Sequence, residues 1–205
     1  MIDQDIIRDF RSLPMGKYED ILKVMKDDSL EEIDRQVEVI SILTDTDKDT
    51  ILSLPITDYK ELVVASRFLA VAPEVSSKVA KEYIIGDYRL VPTDDIRKII
   101  TAQYKDFQEY VKDIENNVVE ILSCFLIPKG KKYLEDYDVL DVQTAIREEL
   151  SVSDAMNLCA FFMMRLGDLM LSSLTSLRRE SKKNPELMER VKKIEKMLEG
   201  VEILS

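Results

Sequence analysis

The stretch SDAMNLCAFFMMRLGDLMLSSLTSLRRESK, residues 153–182, carries more apolar surface at helical spacing than any other part of the chain. At about 100° per residue, Arg165, Asp168, Ser172, Ser176 and Arg179 fall on one narrow polar line. Met156, Leu158, Cys159, Phe162, Met163, Leu166, Leu169, Met170, Leu174 and Leu177 cover most of the remaining circumference. A helix wetted along one thin stripe is packed against on its other sides, so the segment is expected to organise the fold. A membrane span is the rival interpretation. It fails because Asn157, Arg165 and Asp168 interrupt the apolar window, and each charged side chain near a bilayer centre costs roughly 2.5 to 3.5 kcal/mol. No membrane association is expected.

Working outward, the 205 residues are enough for one large or two small domains with a true core. With 45% hydrophobic and 34% charged residues, the composition is that of a folded chain. A net charge of −11 repels phosphate backbones, and the densest basic cluster, Arg178, Arg179, Lys182 and Lys183, has Glu180 in its midst. Nucleic acid is therefore not an expected partner. Cys124 and Cys159 both sit in apolar helical runs, where a thiol behaves as a small hydrophobe. The acidic start MIDQDIIRDF does not read as a secretory signal, so a reducing cytoplasm is the expected location.

Residues 1–72 read as an amino-terminal helical module. A helix over 17–26 places Tyr18, Ile21, Leu22 and Met25 on one face. Ser29 with Glu32 forms a capping box for the next helix, whose inner line is Leu30, Ile33, Val37, Ile40 and Leu43. Thr46 caps a short helix that stops at Leu54-Pro55, and a further helix over 58–70 buries Tyr59, Leu62, Val63 and Leu69. Residues 73–205 read as a second helical module holding a hairpin. There Tyr83, Ile84 and Ile85 and then Tyr88, Leu90 and Val91 flank Gly86-Asp87, a turn of type II′. An isolated two-stranded ribbon is marginal in water, so the hairpin must lie on a helix or pair with a strand of another chain. Thr93 caps a helix over 96–113, residues 117–127 continue as a nearly wholly apolar helix, and 131–137 form a polar connector. A short helix over 141–150 follows, and residues 151–154 cap the organising helix. After Asn184-Pro185, Leu187, Val191, Ile194, Leu198 and Val201 alternate in a coiled-coil seam. The expected fold is mainly α, a multi-helix domain with one small β-hairpin.

Chemistry-bearing patterns are few. Asp45, Asp47 and Asp49 resemble the start of a calcium loop, but Thr50 stands where the motif needs glycine and Ile56 where it needs a bidentate Glu. Helix capping explains the same residues. The chain contains no histidine, which removes the commonest base, the commonest zinc ligand and Ser-His or Cys-His nucleophile pairs. Gly130-Lys131 lacks the remainder of a phosphate loop. No metal, cofactor or enzymatic activity is expected, although a carboxylate-only enzyme stays open among the 40 acidic residues. Met163, Met164 and Met170 beside Phe161 suit a surface that accepts apolar partner segments. With Leu187, Val191, Ile194 and Leu198 they are the candidate partner-binding residues, and the hairpin edge and the terminal seam offer routes to self-association.

Three stretches together resemble tailed-bacteriophage tail assembly chaperones: ISILTDTDKDTILSLPITDYKELVVASRFL (40–69), ITAQYKDFQEY (100–110) and SVSDAMNLCAFF (151–162) with its apolar continuation. The resemblance lies in helix texture and element order over most of the chain. It implies a small, acidic, mostly helical protein of the host cytoplasm that binds tape measure and tail tube subunits before the tail polymerises. It transfers no individual residue roles. The alternative from the residues themselves is a structural virion component, a connector or an internal cargo protein, with the hairpin edge and terminal seam as lattice contacts.

Overall fold

In a computed structural model the chain is mostly helical with a β-hairpin, as its patterning predicts, and a third strand makes the hairpin a small antiparallel sheet. The structure describes residues 6–76, 78–93 and 95–181; the seam residues Leu187, Val191, Ile194 and Leu198 lie outside them. The chain divides into two compact units. One comprises Met1–Asp94 with Ile99–Phe161, the other Asp95–Lys98 with Phe162–Ser205.

In the first unit α1 (Met15–Lys26) packs on α2 (Glu32–Thr44), and the short helices α3 (Lys48–Leu52) and α4 (Ile56–Ala65) follow. Val37 and Ile40 of α2 and Ile51 of α3 form one apolar cluster, and Tyr59, Leu62 and Val63 of α4 pack against it. The chain then closes a hairpin of β1 (Tyr83–Ile85) and β2 (Tyr88–Pro92). Gly86 has φ 54° while Asp87 stays out of the positive-φ region, which distinguishes a II′ turn from I′. After α5 (Thr101–Tyr110) come α6 (Val118–Phe125), β3 (Leu126–Pro128) and α7 (Val139–Glu149), and α8 (Val152–Ser181) begins directly afterwards. β3 pairs with β2 in the register Val91 to Ile127, so β2 is the central strand.

The most covered helix of this unit is α6, in which Val118, Val119 and every residue from Ile121 to Phe125 are buried. Fully burying a Leu, Ile, Val or Phe side chain stabilises by about 1.5–3 kcal/mol, so this short element contributes far more than its length suggests. Around it, α6 contacts α5 and α7, and Phe107 meets Phe125 edge to face at 5.1 Å. α1 closes on α7 at Gly16, where an added Cβ would lie 2.9 Å from the carbonyl oxygen of Arg147. The amino-terminal segment is tied to the junction of α7 and α8 by backbone bonds from Val152 N to Leu13 O (2.9 Å) and from Met15 N to Leu150 O (2.8 Å).

Several local expectations are corrected. The apolar run 117–127 is not one helix: it turns into β3 at Leu126, because Ile127 precedes Pro128 and the residue before proline avoids helical geometry. The expected helix over 96–113 is broken into a 3-10 turn at Ile96–Lys98, α5 and a second 3-10 turn, with Ile100 extended. The β-branched run Ile99-Ile100-Thr101 resists continuation of a helix, and Thr93 N bonds Phe125 O. Ser29 caps nothing. Its amide and hydroxyl donate to Asp27 Oδ1 at 2.9 and 2.6 Å, and α2 starts only at Glu32. α3 is capped by Asp47, one residue later than expected, through Thr50 N at 2.9 Å. Helix α4 gives way to a 3-10 turn at Ser66. Met25 and Ile33, expected on inner faces, are exposed, and Tyr133 of the expected polar connector is buried.

Candidate functional site

Ser151 caps α8 at the expected place: Asp154 N donates to its Oγ (3.1 Å), and the same hydroxyl donates to Asp154 Oδ2 (2.9 Å). Val152, Ala155, Leu158 and Phe162 are buried, while Arg165, Asp168 and Ser172 of the expected polar line are exposed. Of the candidate partner-binding residues, Phe161 is half-buried, and Met163 and Met164 are 49% and 47% exposed. Sequence periodicity put Met163 among the covered residues; it stands in solvent beside Met164, immediately after the fully buried Phe162. The side chain of Met170, like the terminal seam, falls outside what the structure describes. A second exposed apolar group is Ile84, 74% exposed in β1, which is an edge strand of the sheet.

A cleft of about 440 Å³ opens in the first unit beside the start of α8. One wall is the loop carrying Asp9, Phe10 and Arg11, another is the segment Glu74, Val75, Ser76, and the third is Ser153 with Asn157, one helical turn apart. The loop is rigidified by Asp9, whose Oδ1 accepts from Arg11 N, Ser12 N and Ser12 Oγ, each at 2.9 Å. The hydroxyl and amide of Ser12 hold the Asp9 carboxyl below its ordinary value. Asn157 Oδ1 accepts from Ser76 N at 2.6 Å, pinning the second wall to the third. The ring of Phe10 is held edge-on against Tyr18 and Phe68, at 5.8 and 5.1 Å between centroids. Sequence reasoning did not find this cleft. The available signal was Asn157, which continues the polar line of α8 toward its amino terminus and is joined there by Ser153 at i−4.

Partly buried polar groups bridge the helices of this unit. Arg147 of α7 donates through Nε to Glu19 of α1 at 3.2 Å and through Nη2 to Glu120 of α6. Burial raises the Glu19 carboxyl above its ordinary value, and the Arg147 charge only partly offsets this. Glu19 Oε1 and Glu120 Oε2 are buried and have no hydrogen-bond partner among the described residues. Nearby, Tyr133 donates to Asp106 Oδ2 at 2.9 Å, and Gln143 Nε2 donates to Ser123 Oγ at 3.0 Å. Burial pushes the Cys124 thiol up to about 12 and the Cys159 thiol to about 11. Both therefore stay protonated at neutral pH, which argues against either as a nucleophile.

Among the described residues no group of three or more His, Cys, Asp or Glu side chains could hold a metal ion, and no helix is long and apolar enough to cross a membrane. No family model matches the chain, and neither a curated protein nor a solved structure matches it.

Proposed function

We propose that the chain is a non-enzymatic protein that works by binding other proteins, in the manner its resemblance implies: a tail assembly chaperone that holds tape measure or tail tube subunits until the tail polymerises. The observation that carries this role is the pair Met163 and Met164, each about half exposed on a long helix whose preceding residue, Phe162, is 1% exposed. Adjacent flexible thioethers adapt to apolar segments of varied shape, the property a protein needs to hold subunits that later leave it. The protonated thiols of Cys124 and Cys159 and the engagement of Glu19 and Glu120 by Arg147 support a structural use of these groups.

Co-expression with tailed-bacteriophage tape measure and tail tube subunits tests this role. Co-purification that survives in the wild type and is lost in a Met163→Asp, Met164→Asp variant with an unchanged helical spectrum is the expected result. Co-purification unaffected by the double substitution would place the interface elsewhere, and its absence in the wild type would overturn the chaperone role.

One observation favours the alternative of a structural virion component. Ile84, 74% exposed on the edge strand β1, is suited to a lattice contact made by strand addition. The two roles separate on purified particles: a virion component is retained in them, whereas an assembly chaperone is absent.

A further inference from the structure

We propose that the cleft at the start of α8 binds a lysine or arginine side chain carried on an extended peptide segment of a partner. The cleft is lined by two acidic residues, Asp9 and Glu74, and one basic residue, Arg11, in a chain whose own net charge is −11. The balance favours a cationic guest and opposes an anionic one. Capacity for hydrogen bonds points the same way. Asp9 spends Oδ1 on its own loop, while among the described residues neither its Oδ2 nor the Glu74 carboxylate has a hydrogen-bond partner. The three internal bonds fix the Asp9 carboxylate in position before any guest arrives, which lowers the ordering cost of binding.

The remaining walls suit the rest of such a segment. Phe10, with its ring immobilised by Tyr18 and Phe68, and Val75, 58% exposed, offer apolar surface along which the methylene stem of a long basic side chain can lie. Asn157 uses Oδ1 to accept from Ser76 N, which leaves its amide group to donate to a carbonyl of the guest's backbone. A volume of about 440 Å³ admits a long side chain together with a stretch of the backbone that carries it. The assignment is separate from the tail-assembly role: a chain that failed to hold tail subunits would still take the peptide.

The test is fluorescence anisotropy of the full chain with three labelled peptides that share an alanine frame and differ at one central residue, Arg, Glu or Ala, at low ionic strength. The Arg peptide should bind and the Glu and Ala peptides should not. Glu74→Gln should weaken the Arg peptide about fivefold, the loss of one partly exposed ion pair, and Glu74→Lys should abolish its binding. Asp28→Asn, an equal change of net charge at an exposed residue outside the cleft, should leave it unchanged. Equal losses with Glu74→Gln and Asp28→Asn would reduce the effect to overall charge and overturn the site. Binding of the Glu peptide as tight as that of the Arg peptide would reverse the sign of the guest and overturn it equally, as would no binding of the Arg peptide at all.

Discussion

Gly16 is the position where a single methyl group has the clearest consequence. Its missing Cβ lets α1 approach the backbone of α7, and the atom that an alanine would strike is the Arg147 carbonyl oxygen at 2.9 Å, which cannot swing aside as a side-chain tip can. Gly16→Ala should therefore destabilise by about 1–3 kcal/mol despite its better helix propensity, seen as a lower urea midpoint with an unchanged slope. Gly16 also precedes Glu19, whose carboxyl is raised by burial against the partial compensation of Arg147. For a carboxyl raised on folding, the contribution to stability is fully present below the unfolded value and is lost as pH rises through the folded one. Glu19→Gln keeps an acceptor for Arg147 and removes the ionisation. Urea melts of this variant and the wild type should coincide in acid, and the variant should become the more stable as pH rises past the ordinary glutamate range. A variant less stable at neutral pH would mean that the ionised Glu19 is a net stabiliser. Neither Gly16 nor the triad was legible in the sequence, because both depend on which helices meet, and helical periodicity states only that a face is covered.

At the scale of elements, legibility followed the strength of local chemistry. The II′ hairpin was readable because Gly86-Asp87 between two runs of strand formers admits few alternatives, and the start of α8 because Ser151 and Asp154 stand at capping-box spacing. Failures came where two local rules competed. Ser29 obeyed the same capping rule, yet Asp27 two residues earlier captured its hydroxyl. The run 117–127 had the apolarity of a buried helix throughout, and only the Ile127-Pro128 pair marked the switch to β3. That switch supplies the third strand, so the hairpin finds its partner within the chain without needing a strand from another molecule. The cap of α8 gives a prediction at this scale. Ser151→Ala removes the acceptor for Asp154 N and should cost about 1 kcal/mol, whereas Ser151→Asp should recover most of the loss by accepting the same bond. Chemical denaturation of the three proteins checks the order.

For the whole molecule, the mostly helical fold with its small sheet followed from patterning, while the centre of the first unit did not. The long helix at 153–182 promised to be the organiser, but the short α6 is buried nearly throughout, and α8 carries exposed methionines directly after its buried Phe162. Length and apolarity measure how much surface an element has to cover, and they do not say whether its own chain does the covering. The difference is what moves Met163, which periodicity placed among the covered residues, out beside Met164 at the centre of the proposed function. Their role is most directly read by methyl NMR of the full chain labelled at methionine, titrated with the tape measure subunit. The Met163 and Met164 methyl signals should shift or broaden in step with complex formation, while Met15, 1% exposed in the core, stays in place. A complex that forms with both of those signals unmoved would contradict the assignment of this surface to partner binding.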